Sequence, residues 1–431
     1  MSSKLNKRAS GALWNCPQSS MVVSFFTLGC KTNLYESGQI IAKLKQAGHE
    51  AFHGLKTADV FVLNTCAITA EAEKKSRQLV ARARKLNPNC KVVVVGCASQ
   101  KNADQFKDIA NVTFIKGVAN KTQIVDVIER VGIDVESVPS VYANELHATQ
   151  ERTRAFVKIQ DGCNNFCSYC IVPYLRGRSR SRSVADVVAE VKSVNCAETV
   201  LIGIDISQYG RDTGESLTQL FDALQGIPTR IRLGSLEARV VTDELLQSLT
   251  KIDFCPHFHL SLQSGCDTVL KRMNRKYTTE EFLGDVLKIR NYFPNAGITT
   301  DIIVGFCDET EEEFQQTCEF VQKVGFADIH VFPYSPREGT VAYNWKDMDH
   351  ATKSARVEAL TQIKLQLKDS FANKFVGTTQ SVLCERKRNG YWEGYTKEYL
   401  RVYFTGNAKV GELVDVQIAE PYLDGAIGKV E

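Results

Sequence analysis

The chain has 431 residues, a formal charge of +3, and hydrophobic and charged fractions of 43% and 24%, an ordinary globular composition that excludes disordered, collagen-like and coiled-coil classes. No apolar run approaches the ~18 residues of a membrane helix, and the basic start MSSKLNKRASGALWNC lacks the apolar stretch of a signal peptide. The length therefore predicts two or three domains in a cytoplasmic protein with no membrane partner, whose 14 cysteines serve metal binding, reactivity or burial, not disulfides.

Residues 1–20 are polar and read as a flexible tail, with Cys16 as a bystander and Met21 as an alternative start of translation. From 21 to 135 short apolar runs alternate with amphipathic segments. Val22–Leu28, Asp59–Asn64, Lys91–Val95 and Val112–Ile115 read as strands, and Glu36–Ala47, Ala70–Leu86 and Thr122–Val131 as helices. This alternation predicts a doubly wound parallel α/β domain. Residues 134–151 read as a linker.

Between residues 150 and 372 the alternation repeats about six times. Ala155–Gln160, Thr199–Ile204, Ile231–Ser235, Phe258–Leu262, Ile298–Val304 and Ile329–Pro333 are the strands. Helices fall at Val184–Ser193, Glu244–Thr250, Glu280–Asn291, Glu311–Lys323 and Ala351–Phe371. Six such units fall short of the ~250 residues of an eightfold barrel, so a partial (β/α)6 barrel is expected. From 375 to 431 short strands alternate with glycine turns, which predicts a small all-β barrel.

Directly after the first barrel strand, Asp161-Gly162-Cys163-Asn164-Asn165-Phe166-Cys167-Ser168-Tyr169-Cys170 carries C-x3-C-x2-C. Three thiolates so close can wrap one iron–sulfur cluster and leave one iron open, the mark of a reactive metal site. Three further cysteines each close a predicted strand of the first domain: Cys30, Cys66 and Cys97. Carboxyl ends of neighbouring parallel strands converge on one crevice, so these thiols can meet, although lone cysteines also serve as core residues. Nothing marks a side-chain acid or base: no H-E-x-x-H, G-x-x-x-x-G-K-[ST] or G-x-S-x-G occurs.

Two stretches are locally basic. Arg176, Arg178, Arg180 and Arg182 alternate just beyond the cysteine loop. Arg386, Lys387 and Arg388 open the last barrel, with Tyr391 and Trp392 following. Such residues suit phosphate contact and base stacking. The eight basic and eight acidic residues of 374–431 balance, however, and aromatics also fill the cores of barrels that bind nothing.

The C-x3-C-x2-C loop on a partial barrel resembles the radical S-adenosylmethionine (SAM) superfamily. That resemblance implies a 4Fe–4S cluster on Cys163, Cys167 and Cys170 whose open iron holds SAM, cleaved on reduction to a 5′-deoxyadenosyl radical. It places Tyr169 near the adenine, and Gly203, Asp205, Ser235, Glu237, Gln263 and Asp301, all at strand carboxyl ends, around the cofactor. Thr27-Leu28-Gly29-Cys30-Lys31-Thr32-Asn33, Asn64-Thr65-Cys66 and Val95-Gly96-Cys97 look like the three cysteine motifs of the methylthiotransferase N-terminal domain. With a last barrel resembling the RNA-binding TRAM domain, the chain is similar to radical SAM methylthiotransferases throughout after Met21. The family implies a second 4Fe–4S cluster on Cys30, Cys66 and Cys97, and a reductant such as flavodoxin or ferredoxin. A monomer acting on a tRNA anticodon loop is expected. The Leu-Gly-Cys-Lys-x-Asn form most resembles the branch that acts on N6-threonylcarbamoyladenosine at tRNA position 37. Isopentenyl-adenosine in tRNA, a ribosomal-protein Asp and a non-catalytic iron–sulfur RNA sensor are the alternatives.

Overall fold

The computed structural model describes residues 20–68, 70–143, 147–148 and 153–430. The predicted tail, with Cys16, lies outside the described residues except for Ser20.

The first sheet contains β1 (Val22–Thr27), β2 (Glu50–His53), β3 (Val60–Thr65), β4 (Lys91–Gly96), β5 (Val112–Lys116) and β6 (Gly132–Asp134). All pair in parallel in the order β2-β1-β3-β4-β5-β6. Helices cover both faces, so β3 and β4 are apolar without alternation. Val93 and Val95 pack with Ile40, Ile41 and Leu44 on one side, and Val92 and Val94 with Leu79, Val80 and Phe106 on the other. The edge strands β2 and β6 escaped the sequence reading because four and three half-exposed residues carry no legible period. The helix expected over Thr122–Val131 is a 3-10 turn, Lys121–Gln123, and one α-turn, Ile124–Val127. From β1 the chain runs outward to β2 and returns on the other side to β3, so the carboxyl ends of β1 and β3 flank the switch point where open α/β sheets bind ligands.

The central unit follows: β7 (Ala155–Lys158), the two-residue pair β8 (Gln160–Asp161) and β9 (Arg180–Ser181), β10 (Glu198–Ile202), β11 (Arg230–Leu233), β12 (Ser235–Leu236), β13 (His257–Leu260), β14 (Gly297–Val304) and β15 (Asp328–Pro333). Parallel sheets β11-β10-β7 and β12-β13-β14-β15 meet at Gly234, and an Ile231–Phe254 bridge crosses the join. The result is a barrel of six parallel staves, open between β15 and β7. Six of its helices start on side-chain caps, with full capping boxes at Thr278–Glu281 and Thr310–Glu313. Short helices at Leu217–Ala223 and Asp267–Arg272 add to those expected.

The last five strands, β16 (Thr379–Arg388), β17 (Tyr391–Tyr395), β18 (Arg401–Thr405), β19 (Leu413–Tyr422) and β20 (Gly425–Val430), close into a barrel. It docks against β11 and β13: Tyr399 stacks on His257 with centroids 4.5 Å apart, and Arg232 donates to the Lys397 carbonyl at 3.0 Å. Among the described residues no helix is long and apolar enough to cross a membrane.

Candidate functional site

The three cysteines of the first domain sit where its topology converges. Cys30 follows β1 and caps the helix Lys31–Gln46, Cys66 follows β3, and Cys97 follows β4 as the first residue of the helix Cys97–Lys101. The Cys66 thiol lies close enough to Cys97 and Cys30 that charge on either raises it further. The glycines before two of them are required. Gly29 has φ +91°, and a Cβ there would lie 2.8 Å from the Cys66 sulfur; Gly96 has φ +107°, with the Thr65 carbonyl 2.6 Å from where its Cβ would be. Two helix N-termini and the Ile68 N–H, 3.5 Å from Cys66 Sγ, point at this corner and favour negative sulfur. Asn33 ties the loops together, donating to the Leu28 carbonyl at 2.9 Å and the Thr65 carbonyl at 3.0 Å.

The second triad lies in the loop after β8. Positive φ at Gly162 (+74°) and Phe166 (+47°) folds it tightly, and the Cys163 N–H donates to the Gly177 carbonyl. The Asn165 N–H reaches Cys163 Sγ at 3.4 Å, and Arg275 Nη1 donates to Cys167 Sγ at 3.2 Å. Burial pushes the Cys66 thiol up to about 11 and Cys170 to about 12, and raises Cys97 and Cys163 as well. Buried thiols of this kind ionise only against a strong cation, and amide N–H groups aimed at sulfur are what an iron–sulfur cluster accepts. Both donor sets fit a cluster.

Beside the second triad, Asn165 Nδ2 donates to Asp205 Oδ2 and Glu237 Oε1, each at 2.9 Å, and Arg275 pairs with Glu237 at 3.1 Å. Burial and the neighbouring Glu237 raise the Asp205 carboxyl. Gln160 Oε1 accepts the N–H groups of Ile204 and Asp205, and a Cβ on Gly203 would lie 2.9 Å from that oxygen. Gly203 therefore lets Gln160 shape the loop. Tyr169, Gln263 and Asp301 line a cavity of about 1060 Å³ with Cys170; Gly203, Ser235 and Asp301 line one of about 700 Å³ with Cys30. Asp301 and Phe332 border both, so the two spaces adjoin between the triads.

Asp301 also accepts from His259 Nε2 at 3.2 Å and His330 Nδ1 at 3.1 Å. These three are metal-ligating types, but the two rings stack 28° from parallel with centroids 5.4 Å apart. In the structure the trio is joined by these two hydrogen bonds. Neither histidine carries a motif in the sequence, because Asp301 lies 42 and 29 residues away.

The basic stretch beyond the cysteine loop corrects the reading made from sequence. Arg176, Arg180 and Arg182 are 1%, 7% and 3% exposed and face no RNA. Arg176 pairs with Glu36 at 2.8 Å and Asp161 at 3.0 Å, and its charge lowers the Cys97 thiol against burial. Arg180 pairs with Asp161 at 3.0 Å, and Arg182 with Asp186 at 2.7 Å and with Glu190. Lys121 and Lys158 complete the cluster on Glu36 at 2.6 and 2.7 Å. The group welds the first domain to the barrel. Arg178 alone is exposed, over the Phe166 ring at 4.3 Å.

In the last barrel the β16–β17 hairpin stands in solvent. Arg386, Lys387 and Arg388 are exposed and Tyr391 and Trp392 half-buried, with Lys387 5.3 Å over the Trp392 ring. Arg386 pairs with Glu393. Tyr395 and Tyr399 instead pack under Arg154.

Residues 157–321 match the radical SAM superfamily and residues 22–117 the family described as uncharacterized protein family UPF0004. Over 95% of this chain and 96% of its own length, the threonylcarbamoyladenosine tRNA methylthiotransferase MtaB of Bacillus subtilis is 36% identical. The MtaB of Thermotoga maritima is 35% identical over 93% and 95%. The tRNA-2-methylthio-N(6)-dimethylallyladenosine synthase of Thermoanaerobacter pseudethanolicus is 33% identical over 91% and 89%. Among solved structures, the radical SAM methyltransferase TsrM of Kitasatospora setae shares the fold at a TM-score of 0.56 and 11% identity, over 87% of this chain and 80% of its own.

Proposed function

Because the chain belongs to the radical SAM tRNA methylthiotransferase family, we propose that it adds a methylthio group to C2 of N6-threonylcarbamoyladenosine at position 37 of tRNA. The observation that carries this reading is the pair of cysteine triads at adjoining cavities, each fit for a cluster. SAM and a 4Fe–4S cluster at Cys163, Cys167 and Cys170 supply the radical and methyl chemistry, and a second cluster at Cys30, Cys66 and Cys97 supplies the sulfur site.

The chain's own work is positional. Asn165, held by Asp205 and Glu237, fixes the loop that carries Cys163 and Cys167. Arg275 places a buried cation against Cys167, which offsets the negative charge that reduction adds. Arg176 and Glu36 hold the two triads at a set separation. The exposed hairpin with Lys387 and Arg388 contacts the anticodon stem-loop. A flavodoxin or ferredoxin reductant, a cytoplasmic location and a monomeric state belong to the same proposal.

Nucleoside mass spectrometry on tRNA from cells with and without the gene tests it. Loss of 2-methylthio-N6-threonylcarbamoyladenosine with accumulation of its parent is expected. An unchanged level of that nucleoside rejects the substrate.

A further inference from the structure

A chain of four hydrogen bonds runs across β13, β14 and β15 and ends on β15, the stave beside the opening of the barrel. His257 Nε2 meets Thr299 Oγ1 at 2.9 Å, and Thr299 Oγ1 meets His259 Nδ1 at 3.0 Å. His259 Nε2 and His330 Nδ1 then meet the two oxygens of Asp301 at 3.2 and 3.1 Å. His257 and Thr299 are buried, whereas the His330 side chain is 51% exposed.

With neutral rings, one placement of protons satisfies every bond. Burial pushes the Asp301 carboxyl up, but the hydrogen bonds of the two histidines hold it below its ordinary value, so it is ionised and only accepts. His259 Nε2 and His330 Nδ1 therefore carry protons. His259 accepts at Nδ1 from the Thr299 hydroxyl, which in turn accepts from His257 Nε2. Desolvation by burial keeps His257 neutral, and its proton-free Nδ1 is a buried nitrogen without a partner among the described residues. The open end of the chain is His330 Nε2, left as a hydrogen-bond acceptor because Asp301 holds the proton on Nδ1.

Alternate residues of a strand share a face, and Asp328, His330 and Phe332 share the face of β15 that lines the cavity beside Cys30. Phe332 is 45% exposed and borders both cavities. An exposed ring two residues from an oriented acceptor, between the two triads, offers what an unstacked nucleobase needs: a surface to stack on and a partner for one donor. The wall around His330 is polar, with Asp328, Lys368 and Asp424, and a hydrocarbon N6 substituent would face groups it cannot pair with. Resting on the function proposed above, we infer that this face of β15 receives the substrate nucleoside: Phe332 stacks on the adenine, and His330 Nε2 accepts from the N6–H or the threonyl hydroxyl of the substituent. Asp301, with both oxygens committed to imidazoles, acts through His330 as a positioning residue.

The test measures binding by the full-length, cluster-loaded protein of four anticodon stem-loops. They carry A37, N6-threonylcarbamoyl-A37, the latter methylated at N6, and its analogue with 2-aminobutyrate in place of threonine, which lacks only the hydroxyl. The wild type is expected to bind one of the two analogues roughly three- to tenfold more weakly than the threonylcarbamoyl form, the value of one neutral hydrogen bond. In His330→Ala that penalty vanishes, and the analogue for which it vanishes identifies the donor. Asp301→Asn, which cannot accept from both rings, shrinks the same ratio with the His330 side chain still in place. Phe332→Ala weakens all the modified RNAs alike and leaves the ratio intact, and Phe332→Trp restores the affinity. Both His330 and Phe332 are about half exposed, so the melting temperature of their variants stays near that of the wild type. If neither analogue's penalty shrinks in His330→Ala, the inference is overturned and the nucleoside assignment stands. If the wild type does not prefer the threonylcarbamoyl form to A37, the function proposed above falls and this inference with it.

Discussion

Arg176 Nη1 donates to Glu36 Oε1 at 2.8 Å, joining residues 140 apart in the chain, one in the helix Lys31–Gln46 of the first domain and the other closing the helix Val172–Arg176 of the barrel. Around them Lys121, Lys158, Asp161 and Arg180 form one buried group, and Tyr35 donates to Glu190 across the same seam at 2.9 Å. The two cysteine triads thus sit on parts that cannot slide independently without separating buried charges.

Glu36 is the member whose loss leaves most charge unanswered. Burial pushes its carboxyl up, yet Arg176, Lys121 and Lys158 hold it well below its ordinary value. Glu36→Gln leaves Arg176, Lys158 and Arg180 sharing Asp161 and takes away the carboxylate that Lys121 pairs with, and about 3–5 kcal/mol of stability should go. The exposed pair Lys43–Asp126 is the control, since breaking it should cost less than about 1 kcal/mol. Thermal melts compare the two, and equal effects would reject a structural role for the buried group.

Iron content reads the first triad. Gly96→Ala forces a Cβ to within 2.6 Å of the Thr65 carbonyl at φ +107°, which must displace Cys97 beside it. We expect this variant, like Cys30→Ala, Cys66→Ala and Cys97→Ala, to fall to half of about eight irons per chain. Cys90→Ala, a buried thiol away from both triads, keeps the full value. Unchanged iron in the triad variants would remove the second cluster.

The triads were legible because each first-domain cysteine ends an apolar run, and because three cysteines so closely spaced in one loop seldom do anything but share a metal. The arginines were not. Alternation of Arg with Gly and Ser from Arg176 to Arg182 reads locally as a solvated basic strand. Only the fold reveals that Glu36 and Asp161 meet Arg176 in the interior, the one from 140 residues away and the other from 15. Gly203 was placed at the cofactor by the family resemblance, and only the fold shows that its lack of a side chain also leaves room for Gln160 Oε1. The hairpin at Arg386–Arg388 was readable because Asn389-Gly390 marks its turn.

Arg275 bears on redox. Its guanidinium is buried between Cys167 Sγ and Glu237, with Nη2 donating to the Ser261 carbonyl at 3.0 Å. Arg275→Met removes a cation that stabilises the more negative, reduced state. The potential of the second-triad cluster should move negative by tens of millivolts, about 59 mV for each tenfold change in the reduction equilibrium. Potentiometric titration followed by electron paramagnetic resonance measures it, and a positive shift would contradict the placement.

Acid stability should track Glu198. Burial pushes this carboxyl up, but the charge and hydrogen bonds of Arg232, then Arg154 and Arg230, bring it down from 4.5 to about 2. A folded value below the unfolded one means the contribution is complete above about pH 4.5 and is lost as pH falls toward 2. Wild-type stability should therefore drop across that window. Glu198→Gln should start lower at pH 7 and change less there. Parallel curves would show that Glu198 is not the titrating group.

The hairpin and the buried arginines separate RNA binding from folding. Lys387 and Arg388 project from the β16–β17 turn, and Lys387 lies over Trp392, an arrangement that offers charge to phosphate and a ring face to an unstacked base. Lys387→Ala with Arg388→Ala should weaken tRNA binding at low salt. It should also reduce the slope of log K against log salt by about one to two, because each lost phosphate contact releases fewer counterions. The melting temperature stays where it was. Arg180→Ala should do the opposite, lowering the melting temperature because buried Asp161 loses one of its three cations, while leaving the salt slope of the folded fraction intact. A salt slope that responds to Arg180 and ignores the hairpin would return the RNA contact to the segment following the cysteine loop, where the burial of three of four arginines now speaks against it.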